Sequence, residues 1–120
     1  MNILKWFKND DSYNYLPNYH TIKIDDIKLV INIIELPETS YEFINTTDFI
    51  GSTDDYKNSK DLTSFKPCTI PYSYDKVYRI ECNKIKFYVS DNFKSSKYFN
   101  DEFITKVIIK RLSRMIWKNT

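Results

Sequence analysis

The sequence predicts an α+β domain: a small, mostly antiparallel sheet built from two β-hairpins, at about 20–36 and 76–90, packed by a C-terminal amphipathic helix at about 101–118. Three observations carry that expectation. Two stretches alternate apolar and polar residues on either side of short turn sequences, and from Asn100 onward apolar residues recur at helical spacing. At 120 residues the whole chain, 1–120, fits one domain around one hydrophobic core.

In the first hairpin, Ile22 and Ile24 alternate with Lys23, and Ile27, Leu29, Ile31 and Ile33 alternate with Lys28, Val30 and Asn32. Asp25-Asp26 suits a two-residue turn, because Asp tolerates positive φ better than most residues. Pairing across it sets Ile24 opposite Ile27 and Ile22 opposite Leu29, and the longer second strand ends at Leu36-Pro37. In the second hairpin a turn at Asn83-Lys84 sets Cys82 opposite Ile85, Ile80 opposite Phe87 and Tyr78 opposite Val89. Its reverse face pairs Glu81 with Lys86 and Arg79 with Tyr88. Alternation, turn chemistry and cross-strand charge thus agree on one register.

Between the hairpins, "PETSYEFINTTDF" has Pro37 and Glu38 where a helix can open, although Tyr41, Ile44 and Asp48 make a poor stripe. "GSTDDYKNSKDLTS" holds the only glycine and reads as an exposed loop. "FKPCTIPYSY" has two prolines, which favour irregular chain or an edge strand. The N-terminal "NILKWF" adds a short helix or strand. In the final helix Asn100 or Asp101 caps the start, Asp101 and Glu102 meet the positive end of the dipole, and cations fill the later turns. Ile104, Ile108, Leu112, Met115 and Ile116, with Ile109 beside them, fall in one arc of about 140° that faces the sheet.

Composition narrows the function classes. The chain has no Ala or Gln and one Gly, while Ile, Lys, Asn and Tyr are abundant, which points to an AT-rich coding sequence such as that of a phage or virus. The net charge of +2 demands no polyanionic partner. Its distribution is uneven: −1 over residues 1–37, −3 over 38–74 and +6 over 75–120. Cys68 and Cys82 form no CxxC or Cys/His cluster and fall short of a zinc site with His20, so two free thiols and no cofactor or metal are expected. No signal peptide or membrane span is evident, which suggests a cytoplasmic location, in host cytoplasm or virion if the protein is viral.

An enzyme is the least supported class. His20 is the only histidine and stands beside no acid-rich motif. Asp25-Asp26 is explained as a turn, and Asp48, Asp54, Asp55 and Asp61 lack the register of a calcium loop. One glycine rules out a P-loop or a dinucleotide fingerprint. A non-enzymatic protein-interaction module is expected, an assembly component or an inhibitor of a host factor. Phe103, Val107 and Trp117, outside the aliphatic arc and among cations, are the partner-binding candidates. The acidic middle and basic end also suit self-association head to tail. The alternative partner is a nucleic acid, gripped by Lys106, Lys110, Arg111, Arg114 and Lys118 with help from Lys84, Lys86 and Arg79.

Overall fold

The computed structural model describes residues 19–24, 26–38 and 42–118, without the side chains of Tyr19, Trp117 and Lys118. "NILKWF" and Asp25 lie outside the described residues. Five strands are present among the described residues: β1 (Tyr19–Ile24), β2 (Ile27–Leu36), β3 (Phe49–Ile50), β4 (Val77–Cys82) and β5 (Ile85–Ser90). Three helices accompany them: α1 (Thr53–Lys57), α2 (Asp91–Lys94) and α3 (Asp101–Lys118). The strands form one sheet in the order β1-β2-β4-β5-β3, antiparallel throughout except for β3, which runs parallel to β5.

Both hairpins have the register that their alternation predicts. Ile24 faces Ile27 and Ile22 faces Leu29 in the first. Cys82 faces Ile85, Ile80 faces Phe87 and Tyr78 faces Val89 in the second. Asn83 takes φ 54° in the turn, the left-handed region that Asn tolerates better than a branched residue. β2 joins the hairpins through β4, with Asn32 opposite Glu81 and Leu36 opposite Val77.

One face of the sheet carries the main core. Ile22, Leu29, Ile31, Ile80, Cys82, Ile85, Phe87 and Val89 are buried there against Phe103, Ile104, Val107 and Ile108 of α3. The opposite face holds a smaller cluster of Leu36, Phe49, Val77 and Tyr88. Above it Arg79 Nη1 bonds Glu42 Oε1, Arg79 Nε lies 2.7 Å from Glu81 Oε1, and the Tyr88 hydroxyl donates to Glu42 Oε2 at 2.8 Å. Glu81 sits opposite Lys86 in the ladder as expected, yet its carboxylate turns to Arg79 on its own strand.

The segment between the hairpins departs from expectation. Glu38 is in 3₁₀ geometry where the helix was expected to open, and residues 39–41 lie outside those described; further on, residues 42–45 are irregular and a 3₁₀ turn at Thr46–Asp48 leads into β3. The stretch read as an exposed loop contains α1. Ser52 caps it by accepting from Asp55 N, and Tyr56 brings its ring within 5.3–5.6 Å of the rings of Phe93, Tyr98 and Phe103. One apolar side chain on a short capped turn is too brief a pattern for periodicity to detect. The single glycine is there for space: a Cβ on Gly51 would come within 2.7 Å of Tyr74 Cζ. Residues 65–74 are irregular around a 3₁₀ turn at Pro71–Ser73, as two prolines suggest.

The C-terminal helix has the expected span, and Asn100 Oδ1 caps it by accepting from Phe103 N at 2.9 Å. Its rotation is different. The buried stripe runs Phe103, Ile104, Val107, Ile108, Arg111, while Leu112 and Ile116 are only half-buried and Met115 is 36% exposed. The helix is turned by roughly 100° about its axis from the aliphatic arc. Two supports set that rotation. The sheet takes Ile104, Val107 and Ile108, and an aromatic group from α1, α2 and residues 98–99 encloses Phe103, whose ring lies 5.3 Å from both Tyr56 and Phe93.

Candidate functional site

Phe103 and Val107 do not form a contact surface. They are 4% and 0% exposed, and the expectation that they mark an interface is overturned because the helix presents them to the core. Trp117 and Lys118 lie in α3, but their side chains are outside those described.

The cationic candidates separate into three kinds. Lys106 is exposed and pairs with Glu102 one turn earlier, at 2.9 Å. Lys110 and Arg114 are exposed. Arg111 is not a surface cation, which corrects its place in a nucleic-acid-binding face: its side chain is only 9% exposed. Its Nε donates to the carbonyl of Leu62 at 3.1 Å and its Nη1 to the carbonyl of Lys86 at 2.9 Å. Nη1 also lies 3.1 Å from Asp48 Oδ1, and the guanidinium stands 4.7 Å from the Phe65 ring and 5.6 Å from that of Phe87. Burial lowers the guanidinium's pKa and the Asp48 carboxylate opposes that shift. A planar fork can meet two carbonyls and a carboxylate at once, and this lets an arginine enter the interior.

Around this residue the structure gathers the remaining basic groups that the sequence scatters. An open cleft of about 460 Å³ is lined by Lys84 from the β4–β5 turn, by Ile85 and Lys86 at the start of β5, by Arg111, Arg114 and Met115 from α3, and by Asn45, Thr47, Asp48 and Thr63. Local bonds fix its walls. Asn45 Oδ1 accepts from Thr47 N at 3.1 Å and closes the 3₁₀ turn that presents Asp48. Asp61 accepts from Thr63 N at 2.9 Å and from the Thr63 hydroxyl at 2.6 Å, and Arg114 Nη1 donates to that hydroxyl oxygen at 3.1 Å. These two bonds from Thr63, with Arg114 and Lys110 nearby, hold the Asp61 carboxyl below its ordinary value. Lys84 and Lys86 are exposed and make no ion pair among the described residues. Arg111 Nη2 is buried with no hydrogen-bond partner among them. The cleft therefore presents N–H and O–H donors and positive charge, the chemistry of a receptor for an anion.

Sequence reading identified Lys84, Lys86, Arg111 and Arg114 as basic groups and weighed Asp48 only as a calcium ligand, but missed Asn45, Thr47 and Thr63. Nothing local singles those three out; the parallel pairing of β3 with β5 brings the 45–48 turn to the cleft, and Thr63 lines it from the loop after α1.

The other candidates are dispersed. His20 Nε2 lies 2.8 Å from Asp101 Oδ1 on the exposed surface, tying β1 to the start of α3 at the sheet edge away from the cleft. The acids of the middle segment have separate tasks, since Asp55 accepts from Gly51 N, Asp61 holds Thr63 and Asp48 faces Arg111. Among the described residues no three His, Cys, Asp or Glu side chains gather where a metal ion could bind. Neither cysteine is in a disulfide; desolvation pushes the Cys68 thiol up to about 11 and the Cys82 thiol up to about 12. No described helix is long and apolar enough to cross a membrane.

Part of the charge asymmetry of the sequence is matched inside the fold. Asp48 meets Arg111, Glu42 meets Arg79, and Asp61 sits behind Thr63 where Arg114 and Lys110 act on it. Comparison with models of protein families, with curated proteins and with solved structures finds no match for this chain.

Proposed function

We propose that the protein is a non-enzymatic interaction module that docks an acidic segment of a protein partner in the cleft between α3, the β4–β5 turn and the 45–48 turn. The observation that carries this reading is the convergence of Lys84, Lys86, Arg111 and Arg114 on one concave surface with hydrogen-bonding Asn45, Thr47 and Thr63. Charge complementarity of this kind steers association and selects partners. Ile85 and Met115 add apolar area beside the donors, as a side chain on a peptide would use. A nucleic acid fits less well. Asp48 lines the cleft and Asp61 stands behind Thr63, so acids interrupt any track for a phosphate backbone, and no aromatic ring is among the lining residues to stack a base. An AT-rich phage or virus remains the proposed source, on composition alone, with a host factor as one candidate partner.

The test is fluorescence anisotropy with a labelled Glu-rich peptide and a labelled single-stranded oligonucleotide. The peptide is expected to bind, more weakly as salt rises, and to be lost on combining Lys84→Glu with Arg114→Glu. Peptide binding that survives the reversal overturns the site, and tighter binding of the oligonucleotide overturns the choice of partner.

A further inference from the structure

We infer that the anionic group the cleft receives is a phosphomonoester, carried on a phosphorylated side chain of the protein partner. This rests on the docking site proposed above and specifies its chemistry. The donors reach the open cleft from three separate parts of the chain. Lys84 and Lys86 come from the β4–β5 hairpin, Arg111 and Arg114 from α3, and the Asn45 amide and Thr47 hydroxyl from the 45–48 turn, while Thr63 spends its N–H and O–H on Asp61. A terminal phosphoryl group has three free oxygens and close to two negative charges at neutral pH, so it can use donors on several sides at once. A carboxylate has two oxygens and one charge, and a phosphodiester within a strand exposes two oxygens and one charge. Within the lining, four cations stand against the one acid Asp48, which leaves three positive charges for the guest. Asp48 is itself engaged by Arg111 Nη1, so its charge is compensated.

A second observation is independent of the charge count. Arg111 lines the cleft with a side chain that is 9% exposed, and its Nη2 is buried without an acceptor among the described residues. Buried guanidinium N–H groups are ordinarily satisfied, so Nη2 is a donor left without an acceptor on a residue that lines the cleft. Nη1 and Nε of the same side chain are already held by Asp48, Lys86 and Leu62, which fixes the plane of the fork before any ligand arrives.

The experiment titrates the full chain, by isothermal calorimetry, with a phosphoserine peptide of otherwise uncharged sequence. The same peptide carrying Ser or Glu at that position and a single-stranded oligonucleotide serve as comparisons. The phosphopeptide is expected to bind about tenfold or more tightly than the Glu peptide. Combining Lys86→Ala with Arg114→Ala, both exposed positions, is expected to abolish that preference while circular dichroism shows the fold intact. Equal affinity for the Glu and phosphoserine peptides overturns the phosphoryl assignment and leaves the acidic-segment reading standing. Binding of neither peptide overturns both, as does an oligonucleotide that binds more tightly than the phosphopeptide.

Discussion

Replacing Arg111 with methionine removes the fork while keeping most of the side chain's apolar stem. The residue joins four parts of the molecule: its own helix, the β5 carbonyl of Lys86, the loop carbonyl of Leu62 and the carboxylate of Asp48. Breaking a buried ion pair by removing one partner costs roughly 3–5 kcal/mol, because the other charge is stranded. Asp48 is 37% exposed, so water can recover part of its solvation and the charge component is smaller. Two carbonyls lose their donors at about 1 kcal/mol each. The expected loss is therefore about 2–4 kcal/mol. For a domain of this size that corresponds to a fall in Tm of about 10 °C. Urea denaturation followed by circular dichroism measures it as a lower midpoint with an unchanged slope. Arg111→Lys is expected to lose nearly as much, because an ammonium cannot reproduce the planar fork. Asp48→Asn combined with Arg111→Met should cost less than the sum of the two single changes. A loss below about 0.5 kcal/mol, the range of ordinary surface substitutions, refutes the view that Arg111 is a structural tie.

Phe103→Ala is expected to destabilise the fold by about 3–5 kcal/mol in the same assay, because it empties a site packed by several rings. Thr63→Val removes both hydrogen bonds that Thr63 makes through its hydroxyl, to Asp61 and from Arg114, and carboxyl titration by NMR should then show the Asp61 pKa moving back up toward 3.8. In the native protein a lowered carboxylate pKa stabilises the fold above the unfolded-state value, and that contribution disappears as pH falls through the lowered one. Cys82, 2% exposed and with its thiol pushed up to about 12, should react with a disulfide reagent at neutral pH only on unfolding, while the half-buried Cys68 reacts slowly. Gly51→Ala should destabilise by about 1–3 kcal/mol, read by thermal unfolding, since Tyr74 has to give way.

The hairpins were legible because everything that sets their register is local. Asn83 makes the turn, and each apolar residue finds its partner within the same run of chain. The span of α3 was legible for a similar reason, since Asn100 caps it and Asp101 and Glu102 follow. Its rotation was not. A helical wheel weighs aliphatic residues and sends arginine to water, whereas here Tyr56, Phe93 and Phe99 build a pocket for Phe103, and two carbonyls with Asp48 draw Arg111 inside. The stripe at 103, 104, 107, 108 and 111 was present in the sequence as a regular helical face. Choosing it over the arc ending at Met115 and Ile116 requires knowing what lies opposite. The cleft was legible only in half, as basic residues without their polar walls, because β3 is two residues long and its parallel pairing has no local signature.

The brevity of β3 has a consequence for how the molecule behaves in a crowd. β3 pairs only with Tyr88 and Val89, so the outer margin of β5 from Ile85 to Phe87 lacks a neighbouring strand among the described residues. An uncovered margin of this kind is a template on which a foreign strand can assemble. The carbonyl of Lys86 that such a strand would seek is already held by Arg111. The guanidinium thus acts as a guard against strand addition as well as a tie within the fold.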